Sequence, residues 1–261
     1  MTETTKPIVP DATEPNLGET GRPLLSFVIP ALNEERNIAR TLKQFSQIGT
    51  DVQYEVIVAD GGSTDKTVEI SRQLGAVVYV DTADHKTIAS GRNLGASYAK
   101  GEILIFCDAD TQLKEISSFV TRVVELFQDQ RIVGAVPRLE VFPHERIWSD
   151  RVFSTFLNTA IRFLFWLGWP FAGGQCQVVR KVSFEAVHGY NAEQVHGEDS
   201  ALVKSLSKIG RLRFLSDQTV LESPRRYRKL GYLRLIAIAV YSFIGQALFR
   251  RNVLQRWERF D

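Results

Sequence analysis

The sequence predicts an α/β fold: a doubly wound, mostly parallel sheet flanked by helices, with a basic, apolar helical extension at the C-terminal end. Two patterns and one charge asymmetry predict it. Between Leu24 and Phe127, short apolar runs alternate with segments of helical period, the βαβαβαβα order that a parallel sheet with crossover helices requires. Beyond Ile132–Val136 the regularity breaks into long, aromatic and nearly uncharged stretches. Residues 222–261 then carry nine Lys/Arg against three acids, a net +6 in a chain whose formal total is +2, so residues 1–221 sum to −4.

With 261 residues, 44% hydrophobic and 24% charged, the chain can bury a sizeable core. Its two cysteines, Cys107 and Cys176, cannot form a disulfide framework and lack metal-site spacing. Both lie in apolar runs, which predicts buried free thiols in a reducing, cytoplasmic compartment. A basic end beside apolar stretches suits anionic headgroups or phosphates. Basic residues interleaved with exposed aromatics are missing, so no nucleic-acid partner is expected.

Three regions follow. Residues 1–22 are rich in Thr, Pro, Glu and Gly without an apolar period, and read as a disordered tail rather than a signal peptide. Residues 23–222 form the α/β domain, and 223–261 the basic, apolar helical extension. Within the domain, Leu24–Ile29 reads as a strand. Glu34–Ile48 reads as a helix with Ile38, Leu42, Phe45 and Ile48 on one face. Tyr54–Ala59 is the second strand, closed by Asp60-Gly61-Gly62-Ser63-Thr64-Asp65, where Ser63 or Thr64 can cap the next helix. Ala76–Val80 is a third strand. Ile88–Ala99 is a helix whose small residues permit close approach to a sheet. Ile103–Cys107 is a fourth strand, and Ile116–Phe127 the clearest amphipathic helix.

The chemistry concentrates where strands end. Behind the apolar run Glu102–Phe106 stands Cys107-Asp108-Ala109-Asp110-Thr111-Gln112. Residues i and i+2 of an extended strand share a face, so both carboxylates would enter the crevice where open α/β sheets bind ligands. Two like charges that close repel unless a cation lies between them, and oxygen donors suit Mg²⁺ or Mn²⁺. An Asp-rich turn capping the next helix is the plainer alternative. Asp60, ahead of two glycines, suits hydrogen bonds from a base or ribose better than phosphate, although a simple turn would look the same. Asn33 is a competent N-cap, with Glu34 in the first turn. Arg92 would point to the strand ends, where a guanidinium can grip a diphosphate bidentately, or else face solvent. Glu198-Asp199 is ordinary capping chemistry or holds a general base. His188 and His196 lack ligand spacing and read as structural.

Farther along, Phe153–Val179 contains one charge, Arg162, among aromatic residues, and Leu235–Phe249 is uncharged for 15 residues between Arg234 and Arg250-Arg251. The first suits a lipid or a core helix. The second is shorter than the roughly 20 residues a membrane span needs, and is expected to lie in a membrane interface, with a soluble core or dimer helix as the alternative.

Taken in order, Ser26–Glu35, Val56–Asp65, Gly91-Arg92-Asn93 and Asp108-Ala109-Asp110 strongly resemble glycosyltransferase family 2, enzymes of the GT-A fold. The resemblance covers residues 24 to about 226. It implies that Pro30, Ala31, Glu34 and Asp60 line a nucleotide site, with Arg92 and Asp108 near the nucleotide or its phosphates. Asp108, Asp110 and Gln112 would hold the Mg²⁺ or Mn²⁺, a pattern similar to that of polyprenyl-phosphate sugar synthases. Asp199, beside Glu198, would be the catalytic base. Arg226 falls in an Arg-rich segment that carries Tyr227 where many relatives have Trp, which loosens its assignment to the donor. The activity implied is inverting, metal-dependent transfer from a nucleotide-diphosphate sugar, with UDP the expected nucleotide, to a hydroxyl or lipid-linked acceptor. The chain would work at the cytoplasmic face of a membrane. The rivals are a polyprenyl-phosphate sugar synthase and a non-catalytic nucleotide-sugar-binding protein. A nucleotidyltransferase would show a Gly-rich basic loop after the first strand, which is absent.

Overall fold

Successive residues of one strand show how the layers form. In the run Ile103–Cys107, Ile103, Ile105 and Cys107 join one apolar cluster while Leu104 and Phe106 join another on the opposite face. A strand covered on both faces has no polar side to offer, which is why the run is apolar throughout. The computed structural model describes residues 23–83, 86–194, 197–232 and 234, apart from the side chain of Arg226.

The elements in chain order begin with β1 (Leu25–Ala31), α1 (Ile38–Lys43), β2 (Tyr54–Asp60), α2 (Thr67–Gln73), β3 (Val77–Val80), α3 (Ile88–Tyr98) and β4 (Ile103–Cys107). There follow β5 (Gln112–Leu113), α4 (Ile116–Leu126), β6 (Ile132–Val141), α5 (Trp148–Trp166), β7 (Cys176–Arg180), α6 (Lys181–Ala186), α7 (Glu198–Leu206), β8 (Arg211–Glu222) and α8 (Arg225–Leu230). The strands form one sheet in the order β3-β2-β1-β4-β7-β6-β8-β5. From β3 to β4 every pairing is parallel. β7 runs antiparallel to both β4 and β6, β8 is parallel to β6, and β5 is antiparallel to β8. The chain winds outward from β1 through β2 to β3, then returns to place β4 on β1's other side. The switch point of the sheet therefore lies at the C-terminal ends of β1 and β4, where such folds bind ligands.

The small residues of α3 do what their size allows. A methyl group at Gly95 would collide with the Val28 side chain, and Gly91 lies against Pro30 and the Ala59 carbonyl. The helix thus rides close on β1 and β2. Cys107 and Cys176 are buried free thiols, directly opposite each other on β4 and β7, with sulfur atoms 3.9 Å apart.

Three local expectations are corrected. The helix foreseen over Glu34–Ile48 is only α1 plus a 3-10 turn at Gln44–Gln47. Asn33 is no N-cap. It adopts a left-handed φ of 55° and its side-chain oxygen accepts from the Thr64 backbone N–H. Ser63 and Thr64 do not cap α2 either, whose preceding residue is Lys66; Asp65 accepts from the Thr67 N–H instead. Asn33 and Ser63 instead use their side chains to bond across two neighbouring loops.

Helix α5 has two faces. Phe153, Ser154, Asn158 and Ile161 are buried, while Trp148, Phe156, Phe163 and Trp166 are exposed. It is neither a core helix nor a span: among the described residues no helix is long and apolar enough to cross a membrane. The expectations for residues 1–22, His196 and Leu235–Phe249 lie outside the described residues.

Candidate active site

Two loops at the switch point are stitched together by hydrogen bonds. The Asn33 N–H donates to Ser63 Oγ at 2.9 Å, and the Gly61 N–H donates to the Ala31 carbonyl at 2.8 Å. The Glu34 N–H donates to Thr67 Oγ1 at 2.7 Å. Asp60, 1% exposed, accepts from the backbone N–H groups of Gly62 and Ser63, both at 2.8 Å, and from the Ser63 hydroxyl. Its carboxylate therefore organises its own turn, in which Gly62 has a φ of +90° that side chains rarely adopt. Pro30 and Ala31 form the buried end of β1.

The centre of the site is Arg92. It projects from the second turn of α3, whose start is fixed by reciprocal Thr87–Ser90 hydrogen bonds. Sequence reasoning aimed it at a diphosphate. Instead the guanidinium is 1% exposed and holds three carboxylates. Nη2 donates to Asp108 Oδ1 at 2.8 Å, and Nη1 donates to Asp199 Oδ1 at 2.5 Å and to Glu198 Oε1 at 3.3 Å. Nη2 also donates to the Gly174 carbonyl at 3.1 Å, and the Tyr190 ring lies 5.2 Å from the guanidinium carbon. Four segments far apart in sequence thus meet on one side chain. Three acids against one base leave a buried surplus of negative charge. Burial, with Glu198 and Asp108 beside it, pushes the Asp199 carboxyl well above the ordinary range against the pull of Arg92. Burial raises Glu198 likewise.

Sequence reasoning missed several of the residues that complete this hub. A methyl at Gly174 would overlap both the Arg92 guanidinium and the Asp199 carboxylate. Asn93 and Tyr190 exchange hydrogen bonds of 2.8 and 3.0 Å. The Tyr190 hydroxyl donates to Gln177 Oε1 at 2.8 Å, and Gln177 Nε2 donates to the Asp199 carbonyl at 3.3 Å. The Gly173-Gly174 pair was the one sequence signal available, since adjacent glycines mark a close backbone approach.

Asp110, two residues beyond Asp108, is different. Its side chain is 34% exposed, and it pairs with Arg225 at 3.6 Å, itself 46% exposed. Burial, then the charges of Asp108 and Glu34, push its carboxyl up to about 6. The turn carrying it is gripped by α1: Thr41 Oγ1 donates to the Ala109 carbonyl at 2.7 Å and Arg40 Nη2 to the Asp110 carbonyl at 3.2 Å. Gln112 sits in β5, where its amide donates to the Arg40 carbonyl at 3.2 Å. Arg226 lies in α8. Among the described residues no three His, Cys, Asp or Glu side chains converge into a metal-holding group. Yet a carboxyl strained by two acidic neighbours is the kind of donor a divalent ion relieves.

Against known proteins, the model of the family described as glycosyl transferase family 2 matches residues 26–187. A 4,4'-diaponeurosporenoate glycosyltransferase of Staphylococcus haemolyticus is 44% identical over 37% of this chain and 26% of its own length. Succinoglycan biosynthesis protein ExoA of Rhizobium meliloti is 29% identical over 74% of this chain and 61% of its own. The chain thus spans less than two thirds of the length of these relatives. Among solved structures, a mannosyltransferase from Pyrobaculum calidifontis in complex with GDP-Man and Mn²⁺ superposes with a TM-score of 0.68 at 20% identity, covering 96% of this chain and 70% of that one. Glucosyl-3-phosphoglycerate synthase from Mycobacterium tuberculosis, in complex with Mn²⁺ and UDP, gives 0.56 at 23% identity over 87% and 81% of the two chains. These likenesses identify the fold as GT-A.

Proposed function

Since the chain belongs to glycosyl transferase family 2, we propose that it transfers a glycosyl group, with inversion, from a nucleoside-diphosphate sugar to a hydroxyl of its acceptor. The observation that carries the reading is the convergence of Asp108, Glu198 and Asp199 on Arg92 at the switch point. A base, a donor-facing acid and their common positioning cation are thereby held within one side chain's reach.

The stitched loops at Asn33–Glu34 and Asp60–Ser63 form the floor for the nucleotide. Asp110, backed by Asp108, would hold a divalent cation, for which carboxylate oxygens are suitable donors. When bound, such an ion neutralises charge on the departing diphosphate. Arg225 adds positive charge on the same side. Asp199 takes the proton of the acceptor hydroxyl as it attacks the anomeric carbon. Its carboxyl, raised by burial, is a stronger base than a solvated aspartate, which brings it nearer the working pH. Arg92 touches no reacting atom; it positions Asp108 and Asp199.

The test is release of nucleoside diphosphate from a panel of UDP- and GDP-sugars, with and without Mn²⁺. The expected result is metal-dependent release that Asp110→Ala abolishes. Donor binding without turnover across the panel would overturn the reading in favour of a sensor.

A further inference from the structure

Helix α5 presents an unusual surface. Trp148 is 79% exposed and Trp166 77%, and just past the helix Trp169 is 63% exposed. They are three of the chain's four tryptophans, a residue type that is highly buried on average. With Val152, Phe156 and Phe163, at spacings of four, four and seven, Trp148 and Trp166 share one face of the helix. At 1.5 Å per residue the stripe runs for roughly 28 Å. Arg151 and Arg162 flank one side of it.

Beside the stripe lies a cavity of about 240 Å³ lined by Arg138, Glu140, Arg146, Arg151, Ser154 and Thr155. Glu140 pairs with Arg138 and with Arg146, each at 3.2 Å. Three arginines against one glutamate leave the cavity with a surplus of +2. A second cavity, of about 260 Å³, shares Arg146 and Arg151 and is bordered by Ile147 and Trp148. The basic space therefore opens onto the apolar rim. Through the sheet it connects to the active site. Glu140 pairs with Leu221 of β8, and Leu221 with Gln112 of β5, two residues beyond Asp110.

From this juxtaposition we infer that the arginine cavity binds the phosphate of a membrane lipid while the tryptophan stripe of α5 sits in the bilayer surface. Guanidinium forks recognise phosphate oxygens bidentately. Tryptophan and arginine together suit the headgroup layer, one ring-deep and the other at the charge. The net +6 of residues 222–261 adds attraction to the same anionic surface. Two sources share this chemistry: the headgroup of a bulk phospholipid, and a phosphate linking an acceptor sugar to its lipid. In the second case the inference rests on the transferase reading and names the acceptor as lipid-linked, its hydroxyl presented to Asp199 and its phosphate to the arginines.

The full chain is sedimented with vesicles of phosphatidylcholine alone and of phosphatidylcholine with phosphatidic acid, while tryptophan emission is followed. Binding to the phosphatidic acid vesicles with a blue shift is expected. Arg151→Glu should weaken that binding about tenfold, from the charge lost near an anionic surface. Trp166→Ala should shrink the blue shift. Both variants should keep the wild-type melting temperature and metal-dependent donor hydrolysis, because neither residue belongs to the Arg92 hub. Inorganic phosphate that displaces the protein from vesicles supports the cavity as the anchor. Saturation by free phosphate with no vesicle binding overturns the lipid assignment. Tryptophans already shielded from an aqueous quencher without vesicles would mean that the chain covers this face itself, and would overturn the proposal too. Faster sugar transfer onto lipid-linked acceptors, lost in Arg151→Glu, identifies the acceptor phosphate as the source; unchanged transfer identifies the bulk headgroup. Hydrolysis without vesicle binding refutes the inference alone, and vesicle binding without any turnover refutes the enzyme alone.

Discussion

Asp108 and Asp110 stand two residues apart in one motif, yet the structure treats them oppositely. Asp108 is locked to a buried guanidinium, while Asp110 is a third exposed and, among the described residues, has one loose ion-pair partner, Arg225. One region of the site is committed to holding itself together. The other carries a partly exposed carboxyl that, among the described residues, pairs with Arg225 at 3.6 Å and stays open to a ligand. The difference teaches that a motif's spacing places its residues without dividing the labour among them; the surrounding elements do that.

The sharpest way to break the comparison is to remove the hub. Arg92→Ala strands three carboxylates in a buried space, and losing one member of such an ion-paired cluster costs about 3–5 kcal/mol. Urea unfolding should show that loss together with complete loss of transfer; an unchanged midpoint would mean that the hub is not structural. Arg92→Lys should recover little, because an ammonium cannot reproduce the fork that reaches Asp108 and Asp199 at once.

Gly174→Ala probes the same region with one methyl. Overpacking against locked side chains costs about 1–3 kcal/mol, and activity should fall with stability. Soaking up the methyl without effect would show that Arg92 and Asp199 have slack.

Asp110→Asn should behave in the opposite sense. The folded carboxyl titrates at about 6, above its ordinary 3.8, so the fold prefers the protonated form. Below about pH 4 both states are protonated and nothing is lost. Between about pH 4 and 6 the unfolded carboxyl ionises while the folded one keeps its proton, so stability falls, and it levels off once the folded anion forms. The Asn variant should therefore match wild type in acid and exceed it at pH 8 by about 1 kcal/mol or less, screening by water being substantial at a side chain this exposed. Its activity should nonetheless drop roughly a hundredfold or more, as when a preorganised electrostatic group is removed. Melting curves from pH 4 to 8 with parallel turnover assays check both halves.

Arg225→Ala gives the smallest effect. No change in melting temperature is expected, with a few-fold rise in donor KM, because an exposed pair at 3.6 Å adds little to stability.

The first half of the sheet was legible because its signals are local. A strand buried on both faces must be apolar throughout, as Ile103–Cys107 is, and a half-buried helix must show its period, as Ile116–Leu126 does. The motif residues at the ends of β1, β2 and β4 could likewise be located. Their partners could not. Arg92 meets Glu198 and Asp199 across more than a hundred residues, and nothing near Arg92 in sequence announces that it will be buried rather than open to a diphosphate. The start of α1 was misplaced for a related reason, since the hydrogen bonds that hold Asn33 away from a capping position come from Ser63 and Thr64 on another loop. The want of charge in Phe153–Val179 was visible, but only the packing of Phe153 and Asn158 under α5 decides which side faces out.

Gly95 has a consequence for how such a protein diversifies. With no side chain at Gly95, α3 lies directly on the Val28 side chain, so close backbone approach seats the helix that carries the guanidinium. Because Gly174, Tyr190, Glu198 and Asp199 reach that seat from beyond Val141, a lineage taking up a new acceptor must vary around these residues rather than through them.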